Sequence, residues 1–349
     1  MVKSPVMKKL VCVLLIISML VPLCACGESK TYTEQIFAMD TTMSLTAYGN
    51  NAKKGISNAI SVIQALDAAV DPDLETSITY QINNANGQNV TVSGQIADML
   101  TTAKEIYEQT DGAYDITIYP LVKRWGFTTG QYVVPSENEI ANDLAKLCMG
   151  ELTINKFPNS GTYTISLPFY GNLSFASCAK GCASKYAIEA MKNVGVSSAV
   201  ISLGGNVQTL GVKPDGTNWK IGIQDPYNTS SYLASISVGE TAVVTSGTYQ
   251  RFFTAANGKT YHHLFSTKTG YPITNGLVSV TVVCEDGTKA DCLSTAMFAL
   301  GKTSALNYWR KYGGFDMIMI DEDHKITCTS GLIEKFELKN NNYTLSFVE

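Results

Sequence analysis

Residues 260–295, TYHHLFSTKTGYPITNGLVSVTVVCEDGTKADCLST, carry the clearest information about fold and chemistry in this sequence. They suit two strands, Thr260–Phe265 and Leu277–Cys284, followed by the start of a helix. They also include the adjacent pair His262-His263, two of the three histidines in the chain. Because neighbouring side chains of a strand point to opposite faces, we expect one histidine to face a pocket and the other to pack against the protein or orient its neighbour.

The same mixture of strands and separate helices extends outward in both directions. Apolar residues with a helical period predict helices at Ala52–Val70, Ser93–Thr110, Ser136–Leu147, Ala179–Asn193, Asp291–Gly301 and Ser304–Tyr312. Further strands are predicted at Gln35–Tyr48 with a polar break at 39–42, Leu152–Asn155, Thr162–Leu167, Asn172–Ala176, Ala199–Leu203, Lys220–Ile223, Leu233–Val238 and Ala242–Ser246, and in a tail from Asp316 with a hairpin at Asp321–His324. Mostly antiparallel strands beside separate helices predict an α+β fold.

The N-terminal residues have the pattern of an export signal. Three lysines precede an apolar run that is shorter than the roughly 20 residues of a membrane span, and LCACG follows it. This order resembles a bacterial lipobox, with Cys26 as the lipidated residue, although a plain secretory signal is the alternative. We therefore predict a lipoprotein signal peptide over 1–25, a tether over 26–34 and one domain over 35–349. Lipid on Cys26 would hold the protein on the extracytoplasmic face of the bacterial cell membrane.

Charge and cysteine content limit the class of protein. The net charge is −4, and removal of the N-terminal lysines makes the chain more acidic, so nucleic acid is not an expected partner. The cysteines after Cys26 are Cys148, Cys178, Cys182, Cys284, Cys292 and Cys328. Their spread does not form a small-domain disulfide framework, although individual disulfides stay open. Cys178 and Cys182 are expected to be buried apolar residues rather than zinc ligands, because no paired CxxC accompanies them.

Two other stretches suit contact with an anionic ligand. Lys180 lies in the first turn of a predicted helix, where backbone amides and a lysine can bind phosphate; a solvated lysine is the alternative. Gly204 and Gly205 follow a predicted strand and allow the backbone to approach a ligand closely, although a simple turn explains them equally well. The stretch is not a GxGxxG motif, and no acidic residue about 20 positions on supports a Rossmann site.

Asp291 and Thr295 are four residues apart on one face of a predicted helix. A carboxylate and a hydroxyl with this spacing can converge on one hard cation. Mg²⁺ uses few protein oxygens and completes its coordination with water and phosphate, while Ca²⁺ and Mn²⁺ accept the same ligands. An aspartate near the positive end of a capped helix is the alternative explanation.

Several blocks of this sequence resemble, in the same order, those of the ApbE-like FAD:protein FMN transferases. They are GAYDITIYPLVKRWGF at 112–127, LSFASCAKG at 173–181, LGGN at 203–206, WKIGIQDP at 219–226, VVTSGTYQRFF at 243–253, YHHLFSTKTGYP at 261–272 and ADCLSTAMFALG at 290–301. The resemblance covers roughly residues 35–335, and the order of so many motifs makes it specific.

The resemblance implies a fold and an activity. The fold would be ApbE-like and related to the T-fold, with mostly antiparallel sheets, packed helices and an FAD cleft between lobes. The enzyme would use Mg²⁺ and transfer FMN from FAD to a threonine hydroxyl of a target protein, releasing AMP. Its partners would be FAD and an FMN-accepting membrane redox protein or domain. The sequence does not name this acceptor or indicate an oligomeric state.

The resemblance also implies roles for individual residues. Asp291, Thr295 and the backbone oxygen of Ser177 would bind the metal, and His263 would be the base that takes the threonine proton. Contacts with the dinucleotide are implied for Met39, Thr41, Asp115, Lys180, Gly204, Gly205, Thr245, Ser246, Gly247 and His262.

This sequence departs from the family pattern at several positions. Ser174 stands where the family usually has aspartate, and Ser266 and Thr267 replace the residues DP after the histidines. Tyr119 replaces a glycine before Pro-Leu, and Asp40 replaces the glycine of an MGT block. Two alternatives to the transferase therefore stay open: an FAD-binding lipoprotein of the same fold without catalysis, and an FAD pyrophosphatase in which water replaces threonine.

Overall fold

A nine-stranded sheet forms the centre of the computed structural model, which describes residues 30–157 and 161–349. The strands of the protein are β1 (Thr31–Ala38), β2 (Thr41–Tyr48), β3 (Val90–Val92), β4 (Thr153–Lys156), β5 (Tyr163–Ser166), β6 (Ala199–Leu203), β7 (Asn206–Leu210), β8 (Trp219–Asp225), β9 (Asn228–Val238), β10 (Ala242–Gly247), β11 (Phe252–Thr254), β12 (Thr260–His262), β13 (Leu277–Cys284), β14 (Asp316–Asp321), β15 (Lys325–Thr329), β16 (Phe336–Leu338) and β17 (Thr344–Val348). The large sheet has the order β1-β2-β6-β7-β10-β13-β14-β15-β17, and only its β15–β17 pair is parallel. Smaller sheets have the orders β16-β9-β8, β3-β5-β4 and β11-β12.

Helices cover one face of the large sheet, and the sheet β16-β9-β8 covers the other. The helices are α1 (Ala52–Val70), α2 (Ile78–Asn83), α3 (Gly94–Gln109), α4 (Tyr119–Arg124), α5 (Glu137–Leu144), α6 (Ala179–Lys192) and α7 (Gly287–Tyr312). Helices α1 and α6 pack together, and α7 packs against α6, β10 and β13. Alternate residues of the sheet enter separate cores: Val244 and Val282 face the helices, whereas Val243 and Val283 face β8 and β9.

The predicted α+β class and its mostly antiparallel pairing are confirmed. Helix α1 has the predicted bounds, and the side chains of Ser136 and Glu139 form the capping box of α5. Helix α7 begins four residues earlier than predicted because the Asp286 side chain accepts the Lys289 N–H and caps it there. Gly301, with φ 74°, interrupts this helix where the sequence predicted two separate ones.

Two predicted elements are wrong in part. The segment Gln35–Tyr48 is a hairpin rather than one strand, because Met39 and Asp40 adopt positive φ in its two-residue turn. Strand β1 begins at Thr31, so residues 31–34 do not belong to the predicted tether. The signal peptide and Cys26 lie outside the described residues.

Residues 172–176 do not form the predicted strand, because a side chain satisfies the backbone there. The Asn83 amide donates to the Leu173 carbonyl at 2.9 Å and accepts the Leu173 N–H at 2.8 Å. These are the two bonds that a neighbouring strand would make. A strand that the sequence did not predict, β7, follows the Gly204-Gly205 turn instead.

The cysteines from Cys148 onward are free thiols and buried, as expected for Cys178 and Cys182. In the described part of the chain, no helix combines the length and apolar character needed to cross a bilayer.

Candidate active site

The first turns of α6 and α7 meet at two glycines. A Cβ on Gly181 would overlap the Gly287 carbonyl oxygen and would lie 2.6 Å from the Asp291 Cβ. Because Gly181 lacks that atom, its N–H can donate to Asp291 Oδ2 at 2.8 Å. Glycine at this position thus brings the two helix starts close enough to share a hydrogen bond.

Asp291 satisfies a backbone donor at the start of α6. Gly181 is the third residue of this helix, so its N–H has no partner within the helix itself. The Asp291 carboxylate accepts this N–H. Ser177 directly precedes the N-cap residue Cys178, so its carbonyl belongs to the same helix start, and its role as a metal ligand stays a prediction.

Thr295 joins the same site from the next turn of α7. Its Oγ1 lies 3.2 Å from Ser246 Oγ, which is 2.8 Å from Ser294 Oγ. Ser246 is buried, whereas Thr295 is half-buried. We call the Ser177 carbonyl, the Asp291 carboxylate and the Thr295 hydroxyl the oxygen cluster.

The oxygen cluster fits a hard divalent cation. Asp291 is 4% exposed, and burial raises the pKa of its carboxyl, although the charge of Lys180 and the Gly181 N–H act in the opposite direction. Close to it, the Asn206 amide is buried, with neither polar atom hydrogen-bonded to any described residue. Residues 30–157 and 161–349 contain no cluster of three or more His, Cys, Asp or Glu side chains suited to a metal. A cation here would thus take one carboxylate, one hydroxyl and one carbonyl from the protein, which suits Mg²⁺ with phosphate and water as its other ligands.

The two histidines differ in their hydrogen bonds. His262 Nε2 lies 2.9 Å from the Ile273 carbonyl, so this nitrogen carries the proton, and Nδ1 accepts the Leu264 N–H at 3.2 Å. Both ring nitrogens of His262 are therefore engaged by the backbone, which argues against its predicted contact with the dinucleotide.

His263 has one nitrogen available. Its Nδ1 lies 3.1 Å from the Arg251 carbonyl, which can only accept, so Nδ1 carries the proton and Nε2 keeps its lone pair. Burial lowers the pKa of His263 to about 4, and the charges of Arg251 and Lys180 act in the same direction. The ring is therefore neutral at physiological pH and can accept a proton at Nε2.

Lys180 acts electrostatically on both Asp291 and His263. Its ammonium donates to the Ala176 carbonyl at 3.4 Å, and its positive charge lowers the pKa values of both Asp291 and His263. It also lies in the first turn of α6, whose N-cap residue Cys178 makes no side-chain capping bond. An anionic group placed between the cluster and the histidine would meet this ammonium and the helix start.

The β1–β2 turn and the Gly204-Gly205 turn approach the same region. Gly204 has φ 61°, and a Cβ there would lie 2.5 Å from Thr41 Oγ1, so glycine is required for this close contact. The Asp40 carboxylate lies 4.0 Å from the Arg251 guanidinium, and the Arg251 carbonyl accepts the hydrogen bond from His263 Nδ1. The β1–β2 turn and the Gly204-Gly205 turn are therefore adjacent, and the first of them lies near the segment that holds His263; contact of Met39, Thr41, Gly204 and Gly205 with a dinucleotide stays a prediction.

Other predicted ligand contacts have structural roles. Asp115 is buried, and its Oδ1 accepts both the backbone N–H and the hydroxyl of Thr117, at 2.7 and 2.6 Å. Thr245 points to the sheet face opposite Ser246, where its hydroxyl lies 2.7 Å from Thr281 Oγ1. Gly247 makes room for the ring of Tyr249. Of these predicted contacts, only Ser246 lies beside the oxygen cluster.

Sequence reasoning missed Gly181, Arg251 and Asn206 as parts of the site. All three lie inside blocks that carry the family resemblance, so position within a motif was the available signal. Asn206 is the last residue of the block LGGN and directly follows the paired glycines. Its unbonded amide is visible only once its surroundings are known.

Two departures from the family pattern keep a local hydrogen bond. Ser266 Oγ accepts the N–H groups of Lys268 and Thr269, each at 3.2 Å, so the turn after the histidines is still held. Ser174 Oγ accepts the Ala176 N–H at 3.3 Å. These hydroxyls therefore support the loops without the aspartate that the family usually has.

Gly181→Ala is expected to lower the free energy of unfolding by about 2 kcal/mol or more, because α6 and α7 must move apart. Urea denaturation followed by circular dichroism measures this change. Gly239→Ala is the matched control, since its Cβ would enter open space and should leave stability nearly unchanged. Equal stability of the two variants would contradict the close helix crossing.

A buried carboxylate and a neutral histidine, both within electrostatic range of one lysine, are groups suited to phosphoryl transfer. The ApbE family model matches residues 39–319, and the chain belongs to the ApbE family.

Similar proteins include enzymes and solved structures. A FAD:protein FMN transferase of Klebsiella pneumoniae is 28% identical over 91% of this chain and 98% of the relative. One from Escherichia coli K12 is 30% identical over 80% of this chain and 82% of the relative. The crystal structure of the ApbE protein of Thermotoga maritima superposes with a TM-score of 0.78 at 26% identity, covering 86% of this chain and 98% of that one. The crystal structure of the flavinyl transferase ApbE of Pseudomonas stutzeri, in its apo form, superposes with a TM-score of 0.75 at 25% identity. The match covers 88% of this chain and 96% of that one.

Proposed function

We propose that this chain is a Mg²⁺-dependent FAD:protein FMN transferase. The observation that carries the proposal is His263, whose hydrogen bond to Arg251 leaves Nε2 unprotonated within electrostatic range of Lys180. The names of the relatives support the substrate, and the oxygen cluster supports the cation.

The reaction that we propose is a displacement at the FMN phosphorus of FAD. The threonine oxygen of the acceptor forms a bond to that phosphorus, and the bond from the phosphorus to the bridging oxygen breaks. AMP leaves with the bridging oxygen, and the threonine proton moves to His263 Nε2. The product is a phosphoester between FMN and the acceptor.

The protein contributes mainly position and charge to this step. The Ser177 carbonyl, Asp291 and Thr295 would hold Mg²⁺, which neutralises phosphate charge when bound. The Lys180 ammonium, in the first turn of α6, would bind the diphosphate. Arg251 holds the imidazole in the tautomer that accepts a proton.

We further propose that the enzyme is a lipoprotein on the extracytoplasmic face of the membrane. The support is the N-terminal pattern, in which basic residues and an apolar run precede Cys26. The acceptor would then be a membrane redox protein or domain exposed on the same side.

The test is an incubation of the purified protein with FAD, MgCl₂ and a threonine-containing FMN-acceptor domain. A fluorescent flavin adduct on a denaturing gel is expected, with none on an acceptor whose threonine is replaced by alanine. FMN and AMP without an adduct would indicate a pyrophosphatase instead. Tight FAD binding without AMP release would indicate a binding protein.

The transfer rate is expected to change little between pH 8 and 6 and to fall only towards about pH 4. His263 keeps its neutral, proton-accepting form down to its lowered pKa of about 4. Initial rates at saturating FAD and MgCl₂ measure the profile. An inflection near pH 6.5, the ordinary pKa of histidine, would contradict the assigned environment of His263.

The same lowered pKa affects folding stability between about pH 4 and 6.5. In this range the unfolded chain binds a proton at His263 and the folded chain does not, so the contribution of His263 to folding stability increases with pH.

A further inference from the structure

Asn206 faces the oxygen cluster from the large sheet. It is the first residue of β7 and lies opposite Val244 of β10. Cross-strand partners share one face of a sheet, and so do residues two apart, so Asn206 lies on the same face as Ser246. Ser246 contacts Ser294 and Thr295 on α7. Asn206 therefore points towards the first turns of that helix.

The Asn206 amide is buried without a hydrogen bond. The residue is 1% exposed, and neither Nδ2 nor Oδ1 has a partner among the residues that the structure describes. A buried polar group without a partner costs about 1–3 kcal/mol. Gln208, two residues further on the same face, is bonded normally: its Oε1 accepts the Ser184 hydroxyl at 2.7 Å. The unbonded amide is thus a property of position 206 rather than of the strand.

The adjacent charged group is Asp291. One of its carboxylate oxygens is held by the Gly181 N–H. Gln208, on the same face of β7, lies against Gly287, and Ser246 of β10 contacts Thr295. Asn206 lies between these two residues of the sheet, and therefore opposite the turn of α7 that carries Asp291. An amide N–H is the type of donor that orients a metal-bound carboxylate from outside the coordination shell.

We propose that Asn206 is a positioning residue that orients the Asp291 carboxylate towards the divalent cation. This inference rests on the proposed function, because it requires Asp291 to bind a cation. It gives a function to a buried polar group whose missing hydrogen bonds lower the stability of the free protein. It also assigns a role to the residue that follows the paired glycines.

Asn206→Leu is the test, because leucine has a similar volume and no polar atoms. In the absence of FAD and divalent ions, the variant is expected to melt at the same or a higher temperature than the wild type. Calorimetric titration of MgCl₂ into the protein with FAD is expected to show a 10- to 100-fold weaker apparent affinity, roughly as for other residues that orient metal ligands. In activity assays the requirement for Mg²⁺ should rise correspondingly.

Gln208→Leu is the matched control. It should lower the melting temperature, because the buried hydrogen bond between Gln208 and the Ser184 hydroxyl is lost, and it should leave the Mg²⁺ affinity unchanged. If Asn206→Leu binds Mg²⁺ as tightly as the wild type, or destabilises the free protein as much as Gln208→Leu does, the inference is overturned. If the wild type itself shows no Mg²⁺-dependent FAD binding, the proposed function fails instead.

Discussion

His263→Asn is expected to lower the rate of FMN transfer by about 10²- to 10⁴-fold, the usual contribution of a general base, while FAD binding changes little. Asparagine can still donate a hydrogen bond to the Arg251 carbonyl, as His263 Nδ1 does, so the loop after β12 should keep its conformation. What the variant loses is the unprotonated Nε2. Single-turnover formation of the fluorescent adduct measures the chemical step, and quenching of flavin fluorescence measures binding.

His324→Asn is the control for this experiment. His324 is the third histidine and lies at the turn between β14 and β15. Its ring stacks on that of Tyr227, with the ring centroids 4.6 Å apart. Asparagine tolerates the positive φ of 59° at this position, and the transfer rate should not change. A transfer rate of His263→Asn within about threefold of the wild type would remove the assigned base, because true bases contribute far more.

Asp291→Asn is expected to weaken Mg²⁺-dependent FAD binding more than ~100-fold, beyond the effect of losing an orienting neighbour. The same variant should be as stable as the wild type, or more stable, when no divalent ion is present. Burial raises the pKa of the Asp291 carboxyl, so the folded state disfavours the charge at neutral pH. An amide removes this charge and keeps an oxygen for the Gly181 N–H. Thermal melts with and without MgCl₂ and FAD measure both effects.

Asp143→Asn is the comparison for this variant, because Asp143 is equally buried but paired. Arg124 and Lys146 bind its carboxylate, and together they outweigh burial and lower its pKa. This replacement should destabilise the protein at neutral pH and leave Mg²⁺-dependent binding intact. If Asp291→Asn behaved like Asp143→Asn in the absence of divalent ions, Asp291 would be a structural carboxylate rather than a metal ligand.

Most local elements were predictable from the sequence, since local patterns decide them. Helix α1 follows from the spacing of its apolar residues, and the start of α5 follows from its capping box. The pairing of Asp291 with Thr295 follows from helical spacing, and the position of Lys180 follows from the helix start at Ala179.

The elements that were predicted wrongly have physical causes as well. The expected strand at 172–176 is replaced by the Asn83 amide, which lies 90 positions from Leu173.

The sequence by itself determined the fold class, the helix and strand patterns, and the set of residue types that suit phosphates and a hard cation. Only the tertiary structure decided which histidine keeps a free nitrogen, because that depends on the carbonyls of Arg251 and Ile273. The tertiary structure also placed Ser246 beside Thr295 and directed Thr245 to the opposite face of the sheet. It left the Asn206 amide without a hydrogen bond near Asp291. Periodicity and capping act between residues a few positions apart, whereas tautomers, burial and hydrogen-bond partners depend on groups that only folding brings together.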